Sequence, residues 1–332
     1  MNSMGGIELK EAILRVKNLC VDFHLDNRII PAVDGVSFSL AKGETLGLVG
    51  ESGCGKSVTA LTIMRLLQMP PAKIRNGEIY FKGQNLLNMT DEEMRQIRGK
   101  NIAMIFQEPM TSLNPVFTIG RQISEVLIQH QNMPKKDALE KSIEMLKLVR
   151  IPEPEKVVKQ YPHQLSGGMR QRVMIAAALA CEPEIIIADE PTTALDVTVE
   201  AQILGLINEL KSRINSSIIM ISHDLGIVAE VSDRVAVMYA GRIVEYGDVH
   251  SVFTSPKHPY TKGLLEAIPD INMNRSKRLK EIRGVVPFPD EIKEGCRFKT
   301  RCDYVHEKCL AEEPPFIQVG NNQVRCWNYL SQ

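Results

Sequence analysis

The 332 residues are 44% apolar, enough to fill a sizeable core, so the chain is no peptide that needs covalent staples. Its 40 basic and 40 acidic residues balance, which excludes an overall field drawing it to nucleic acid or to an anionic membrane, and any phosphate site must be local. The start, MNSMGGIELKEAILRV, lacks a charged head followed by an apolar core, and no apolar run reaches bilayer length; a cytosolic chain without signal or span is expected.

In chain order, the apolar run 45–49 (TLGLV) enters a glycine-rich turn, and 58–68 (VTALTIMRLLQ) follows with helical composition. The turn reads GESGCGKS: Gly50, then Glu51, Ser52, Gly53 and Cys54, then Gly55, Lys56 and Ser57, with Val58 next, which is P-loop spacing between a strand and a helix. The glycines let successive N–H groups turn inward to a β-phosphate while the helix start adds its positive dipole end. Lys56 would reach the β- and γ-phosphates, and the Ser57 hydroxyl suits Mg²⁺, a hard cation that prefers oxygen.

Further strand candidates are 102–106 (IAMIF), 185–188 (IIIA), 218–222 (IIMIS) and 235–239 (VAVMY), and their alternation with helices predicts an α/β fold with buried parallel strands. Between them the pattern turns helical, with Leu139, Ile143, Leu146 and Val149 at steps of three and four among charged residues. LSGGMRQR at 165–172 sets Ser166, Gly167, Gly168 and Met169 at a helix start, another anion-binding geometry, though a serine cap alone reads the same way. IIIADE at 185–190 delivers Asp189 at the end of a buried strand, where a carboxylate sits beside bound Mg²⁺, and Glu190 next to it can polarise an attacking water.

The tail carries Cys296, Cys302, Cys309 and Cys326, while Cys20, Cys54 and Cys181 are scattered. A reducing cytosol disfavours disulfides. Four thiolates suit tetrahedral Zn²⁺ or a cubane iron–sulfur cluster, and the spacing chooses neither. Arg297, Lys299, Arg301 and Arg325 flank the cysteines and would favour thiolates, with His306 a spare ligand.

LSGGMRQR, taken with the P-loop and IIIADE, resembles the signature of ABC ATPases, with Met169 departing from the more usual Gln. The resemblance covers residues 12 to about 255. It implies an α/β, ABC-type P-loop ATPase domain at 1–256 with an inserted helical subdomain at about 108–180, and a small C-terminal Cys-containing domain at 257–332. It also implies roles. Gln107 is the Q-loop glutamine contacting Mg²⁺ and the attacking water; Ala194, Leu195 and Asp196 are the D-loop; His223 is the switch histidine at the γ-phosphate; Phe23 is the candidate for stacking on adenine. Catalysis falls to Glu190, His223 and Gln107. In this family two such domains face head to tail, the signature of one closing over ATP held by the other.

SPKHPYTKGLL at 255–265 and GCRFKTRC in the tail resemble the oligopeptide, dipeptide and nickel transporter branch, whose members carry a 4Fe–4S cluster on these cysteines. The resemblance implies an ATP-hydrolysing importer subunit on the cytoplasmic face of the membrane. Its partners would be two membrane-spanning permease subunits, a second ATPase subunit, identical or related, and, indirectly, an extracellular substrate-binding protein, with no nucleic acid. Peptides are the first cargo and nickel or metal chelates the second. A soluble ABC protein working on ribosomes or DNA would carry two cassettes or a long coiled coil between the phosphate motifs, and a non-hydrolysing scaffold would lack Glu190 or His223.

Overall fold

The computed structural model describes residues 12–25, 28–108, 112–193, 196–268, 281–292 and 294–330. In chain order they form β1 (Ala12–Leu25), β2 (Arg28–Ala41), β3 (Thr45–Val49), α1 (Lys56–Ile63), β4 (Ala72–Phe81), β5 (Gln84–Asn85), α2 (Asp91–Ile97) and β6 (Ile102–Ile105). Next come α3 (Ile119–Gln131), α4 (Lys135–Leu148), α5 (Pro154–Val157), α6 (Gly167–Leu179), β7 (Ile185–Asp189), α7 (Val197–Ile214) and β8 (Ser217–Ser222). The chain ends with α8 (Leu225–Val231), β9 (Arg234–Tyr239), β10 (Arg242–Asp248), α9 (Val249–Thr254), α10 (Pro259–Glu266), α11 (Glu307–Ala311), β11 (Phe316–Val319) and β12 (Asn322–Arg325). Among the described residues no helix is long and apolar enough to cross a membrane. Two compact units result, one from residues up to 87 and from 221 onward, the other from 88–220.

In the first unit β1 pairs antiparallel with both β2 and β4, giving the order β2-β1-β4-β5, a sheet the sequence pattern had not announced. A second run of strands has the order β11-β12-β10-β9-β3. Every residue of TLGLV in β3 is buried, as a strand covered on both faces requires, and β3 runs parallel to β9 from Leu46 opposite Arg234 to Val49 opposite Val237. The turn from β9 to β10 is Ala240-Gly241, both at positive φ, the conformation that matches the twist of a tight hairpin. From the far end of the chain, β12 adds to β10 at Glu245 opposite Val324. Glu245 is wholly buried, and the N–H groups of Lys257 and His258 and the Asn322 amide all donate to it. Val49 beneath the phosphate loop shares one apolar cluster with Val237, Tyr239, Tyr260 and Phe298. At about 1.5–3 kcal/mol for each large apolar side chain taken from water, this cluster ties residues near 260 and 298 firmly to the loop's strand.

In the second unit β6 and β7 are parallel, Ile102 opposite Ile185 and Ile105 opposite Ala188, and both strands are buried throughout. Between them lie α3 to α6. Thr118 caps α3 by accepting the Arg121 N–H, and α3 meets α4 across a buried hydrogen bond between the Ser124 and Ser142 hydroxyls. The stripe that α4 buries is Ala138, Ser142, Met145 and Leu146, whereas Leu139 is 43% exposed. Of the apolar series at 139, 143, 146 and 149, Leu146 and Val149 are wholly buried, so the series found the helix and part of its inner face, which Ala138 and Ser142 complete, Ser142 meeting Ser124 of α3.

Candidate functional site

The phosphate loop is built by the backbone. After β3 the chain turns at Gly50, φ +150°, where a Cβ would lie 2.2 Å from the Met238 carbonyl oxygen. It turns again at Gly55, φ +103°, where a Cβ would lie 2.5 Å from the Ala32 carbonyl oxygen. Both positions demand glycine. Ser52 and Gly53 form the exposed crest, Cys54 is buried beneath it, and Ser57 and Val58 enter the first turn of α1. The helix starts at Lys56, two residues before the helical stretch at 58–68, and ends at Ile63, five residues before that stretch does, with Arg65 in the left-handed region. The first amides of α1 have no intrahelical acceptor, which is what an anion at this end uses. Lys56 is 5% exposed, and its ammonium donates to the carbonyls of Gly50 at 2.7 Å and Glu51 at 3.1 Å. Phe23 lies half-buried in β1, opposite Ile30 of β2 and Ala72 of β4. His223, exposed, follows β8 directly, and Asp224 after it caps α8 by accepting the N–H groups of Gly226 and Ile227.

The other candidates stand in the second unit. Asp189, 5% exposed, ends β7, and Glu190 follows with φ +44°, a left-handed conformation that costs a non-glycine residue energy and recurs where function holds it in place. Its carboxylate accepts from the Gln107 amide at 2.8 Å and from the Thr193 hydroxyl at 3.0 Å. Gln107 and Glu190, 83 residues apart, are therefore brought together, with Thr193 a partner that the sequence pattern did not single out. Gln171, on α6, is buried and donates to the Pro191 carbonyl, fastening the signature helix to the segment that follows Glu190. Ser166 caps that helix by accepting the Met169 N–H at 3.3 Å, with Gly167 and Gly168 in its first turn. Asp196 caps α7 through the Val199 N–H, while Ala194 and Leu195 lie outside the described residues.

Cys296, Cys302, Cys309 and Cys326 line one pocket, with His258 and Trp327. His306 is not among the lining residues, whereas buried His258 is, with its Nδ1 accepting the Tyr260 N–H at 3.1 Å. Arg297 and Arg301 do not face the sulfurs as their sequence positions suggested. Arg297 donates to Asp34 and to the Ala240 carbonyl, and Arg301 to Glu51. Burial accordingly wins. It pushes the Cys296 thiol up to about 12 and Cys326 up to about 11, and raises Cys302 as well. The N–H groups of Phe298, Tyr304 and Asn328 each donate to the cysteine two residues earlier and oppose that rise. Gly295, φ +72°, lets the Cys309 carbonyl approach to where a Cβ would be 2.5 Å away, and that carbonyl accepts the Cys296 N–H at 2.8 Å. Among the described residues, no three His, Cys, Asp or Glu side chains are grouped so as to hold a single metal ion.

Residues 33–193 match the ABC transporter family and residues 244–309 the oligopeptide/dipeptide transporter C-terminal region. A probable peptide ABC transporter ATP-binding protein of Sinorhizobium fredii is 52% identical over 318 residues, 96% of this chain and 95% of that protein. In Bacillus subtilis, the oligopeptide transport ATP-binding protein AppD is 51% identical across 96% of this chain and 97% of its own length. The dipeptide transport ATP-binding protein DppD of the same organism is also 51% identical, across 96% and 95%. Among solved structures, a dimeric post-hydrolysis ATP-binding cassette, MJ0796, bound to ADP and phosphate, matches with a TM-score of 0.64 at 28% identity, over 71% of this chain and 98% of that one.

Proposed function

The chain belongs to the ATP-binding proteins of ABC transporters of the oligopeptide/dipeptide type, and we propose on that premise that it hydrolyses ATP to drive uptake of di- and oligopeptides. The observation that carries the reading is Glu190: a carboxylate directly after a buried strand, in left-handed backbone, held by Gln107 and Thr193. A side chain so fixed suits a base that aligns water. The relatives named above are peptide, oligopeptide and dipeptide proteins, which favours peptides over nickel chelates as cargo.

In this reading the amides of residues 50–57 and Lys56 hold the ATP phosphates, and Phe23 lies against adenine. The Ser57 hydroxyl, the Asp189 carboxylate and the Gln107 amide oxygen are oxygen donors that fit Mg²⁺. Mg²⁺ held there would neutralise the charge that develops on the phosphates in phosphoryl transfer. Glu190 accepts the proton of the attacking water, Gln107 orients it, and His223 contacts the γ-phosphate. Ser166 to Met169 and Asp196 close over ATP held by a second ATPase subunit, identical or related. The helices of about 108–180 form the subdomain that meets two membrane-spanning permeases at the cytoplasmic face, and an extracellular binding protein delivers cargo to those permeases. The test is association: with Glu190→Gln and MgATP, the protein is expected to pair with itself or with a sister subunit in size-exclusion chromatography with light scattering. Monomer alone under both conditions would sink the reading.

The C-terminal region from 257 carries a 4Fe–4S cluster on Cys296, Cys302, Cys309 and Cys326 in this proposal, with Zn²⁺ as the alternative. Four cysteines lining one pocket, three with an N–H donor two residues on, fit a thiolate-bound group. Bound there, the group supplies a cross-link among tail segments. Anaerobically purified protein is expected to be brown, with about four irons per chain. Colourless protein with one zinc would reverse the assignment.

A further inference from the structure

Glu51, the second residue of the phosphate loop, is tied by both its side chain and its backbone to residues more than two hundred positions away. Its N–H donates to the Tyr260 hydroxyl at 2.9 Å. Its two carboxylate oxygens accept from the two terminal nitrogens of Arg301, at 2.7 and 3.0 Å, a bidentate pair. The Arg301 side chain is 3% exposed and that of Glu51 is 32% exposed. The guanidinium cannot swing away, because its Nε donates to the Arg283 carbonyl at 2.9 Å. Tyr260 is equally fixed: it is wholly buried, with ring centroids 4.7 Å from Tyr239 and 5.5 Å from Phe298.

These contacts converge on the one cation the phosphates need. Lys56 donates to the carbonyls of Gly50 and Glu51, so whatever pins the peptides at 50 and 51 also aims the lysine. The pair has an electrostatic role as well, because an unneutralised carboxylate at position 51 would stand in the loop that receives a polyanion. Arg301 neutralises it and holds it to one side. Arg301 is also one residue before Cys302, and Arg297, one residue after Cys296, grips Asp34 and the Ala240 carbonyl. Asp34 donates its N–H to Gly241, and Gly241 donates its N–H to Cys54 of the loop. Each of these two cysteines thus has a neighbouring arginine that reaches the loop or its wall.

We propose that Arg301 is a positioning residue for nucleotide binding, acting through Glu51, and that it makes ATP affinity depend on the C-terminal cysteine segment. The proposal rests on the reading of residues 50–57 as the nucleotide site. It is tested on the full chain by calorimetric titration with the non-hydrolysable analogue adenylyl imidodiphosphate and Mg²⁺, alongside steady-state ATPase rates. Arg301→Gln is expected to raise Kd and KM about tenfold, the worth of one charge-assisted pair, with kcat little changed. Arg301→Lys falls between, since an ammonium cannot reproduce the bidentate fork. The decisive variant is Arg301→Gln with Glu51→Gln: removing the stranded carboxylate returns affinity to within about threefold of the parent, a rescue that a purely structural arginine would not permit. Tyr260→Phe, which deletes only a hydroxyl, reads the same link with the core left filled, and should weaken binding about threefold. Parental affinity in Arg301→Gln or in Tyr260→Phe, or a double variant no better than Arg301→Gln, overturns the proposal. If Lys56→Ala loses binding while Arg301→Gln keeps it, this link alone falls; if Lys56→Ala also binds as the parent does, the nucleotide-site reading falls with it.

Discussion

Glu190→Gln is expected to bind ATP as the parent does and to turn it over about 10²- to 10⁴-fold more slowly, the usual worth of a positioned general base. The substitution is well suited to this site. A glutamine has the same shape, and its amide oxygen can still accept from the Thr193 hydroxyl or the Gln107 amide, which lie 3.0 and 2.8 Å from the carboxylate it replaces. The left-handed backbone at position 190 is untouched. What is lost is the ability to take a proton from water. Phosphate release under saturating MgATP measures the rate, and equilibrium titration measures binding. A parental rate would remove Glu190 from the role of base.

Lys56→Ala is expected to act on binding itself, raising the ATP dissociation constant by about ten- to a hundredfold, as loss of charge-assisted contacts to phosphate should. The lysine is almost fully buried, with its ammonium held against two loop carbonyls, so it is already oriented before any phosphate arrives. Pre-orientation of this kind means that little side-chain entropy remains to be lost on binding. The same change strips two carbonyls of a donor, so thermal unfolding should be followed in parallel to separate loop stability from affinity. Unchanged affinity would show that the phosphates lie elsewhere.

The elements that carry the motifs were legible because they are short, continuous and apolar. TLGLV, IIIAD and SIIMIS are buried along their whole length, and such strands announce themselves without any alternation. The antiparallel sheet of β1, β2, β4 and β5 was not legible. In β1 the register shifts between Val16 and Leu19 and again between Leu19 and Val21, and bulges of this kind erase the period of two that would mark the strand. Within the site, the sequence singled out both Gln107 and Glu190, which the structure joins by a hydrogen bond. Thr193 could have been suspected only from its place three residues after Glu190. The arginines of the tail were misjudged for a different reason: Arg297 and Arg301 sit beside cysteines in sequence, yet their partners Asp34 and Glu51 lie 263 and 250 residues earlier. Nothing local records where a long side chain will point.

The interleaving of the first unit bears on how the protein is made. The strand that feeds the phosphate loop, β3, leaves the ribosome long before β9, its parallel neighbour, has been synthesised, and Tyr260 and Arg301 emerge later still. At about 5–20 residues per second, the wait from residue 45 to residue 234 is roughly 10–40 s. Throughout it the nascent chain carries without its neighbour a segment that the finished fold buries entirely. A message truncated anywhere between residues 57 and 234 would encode every glycine of the loop and the lysine, yet yield no pocket for a nucleotide.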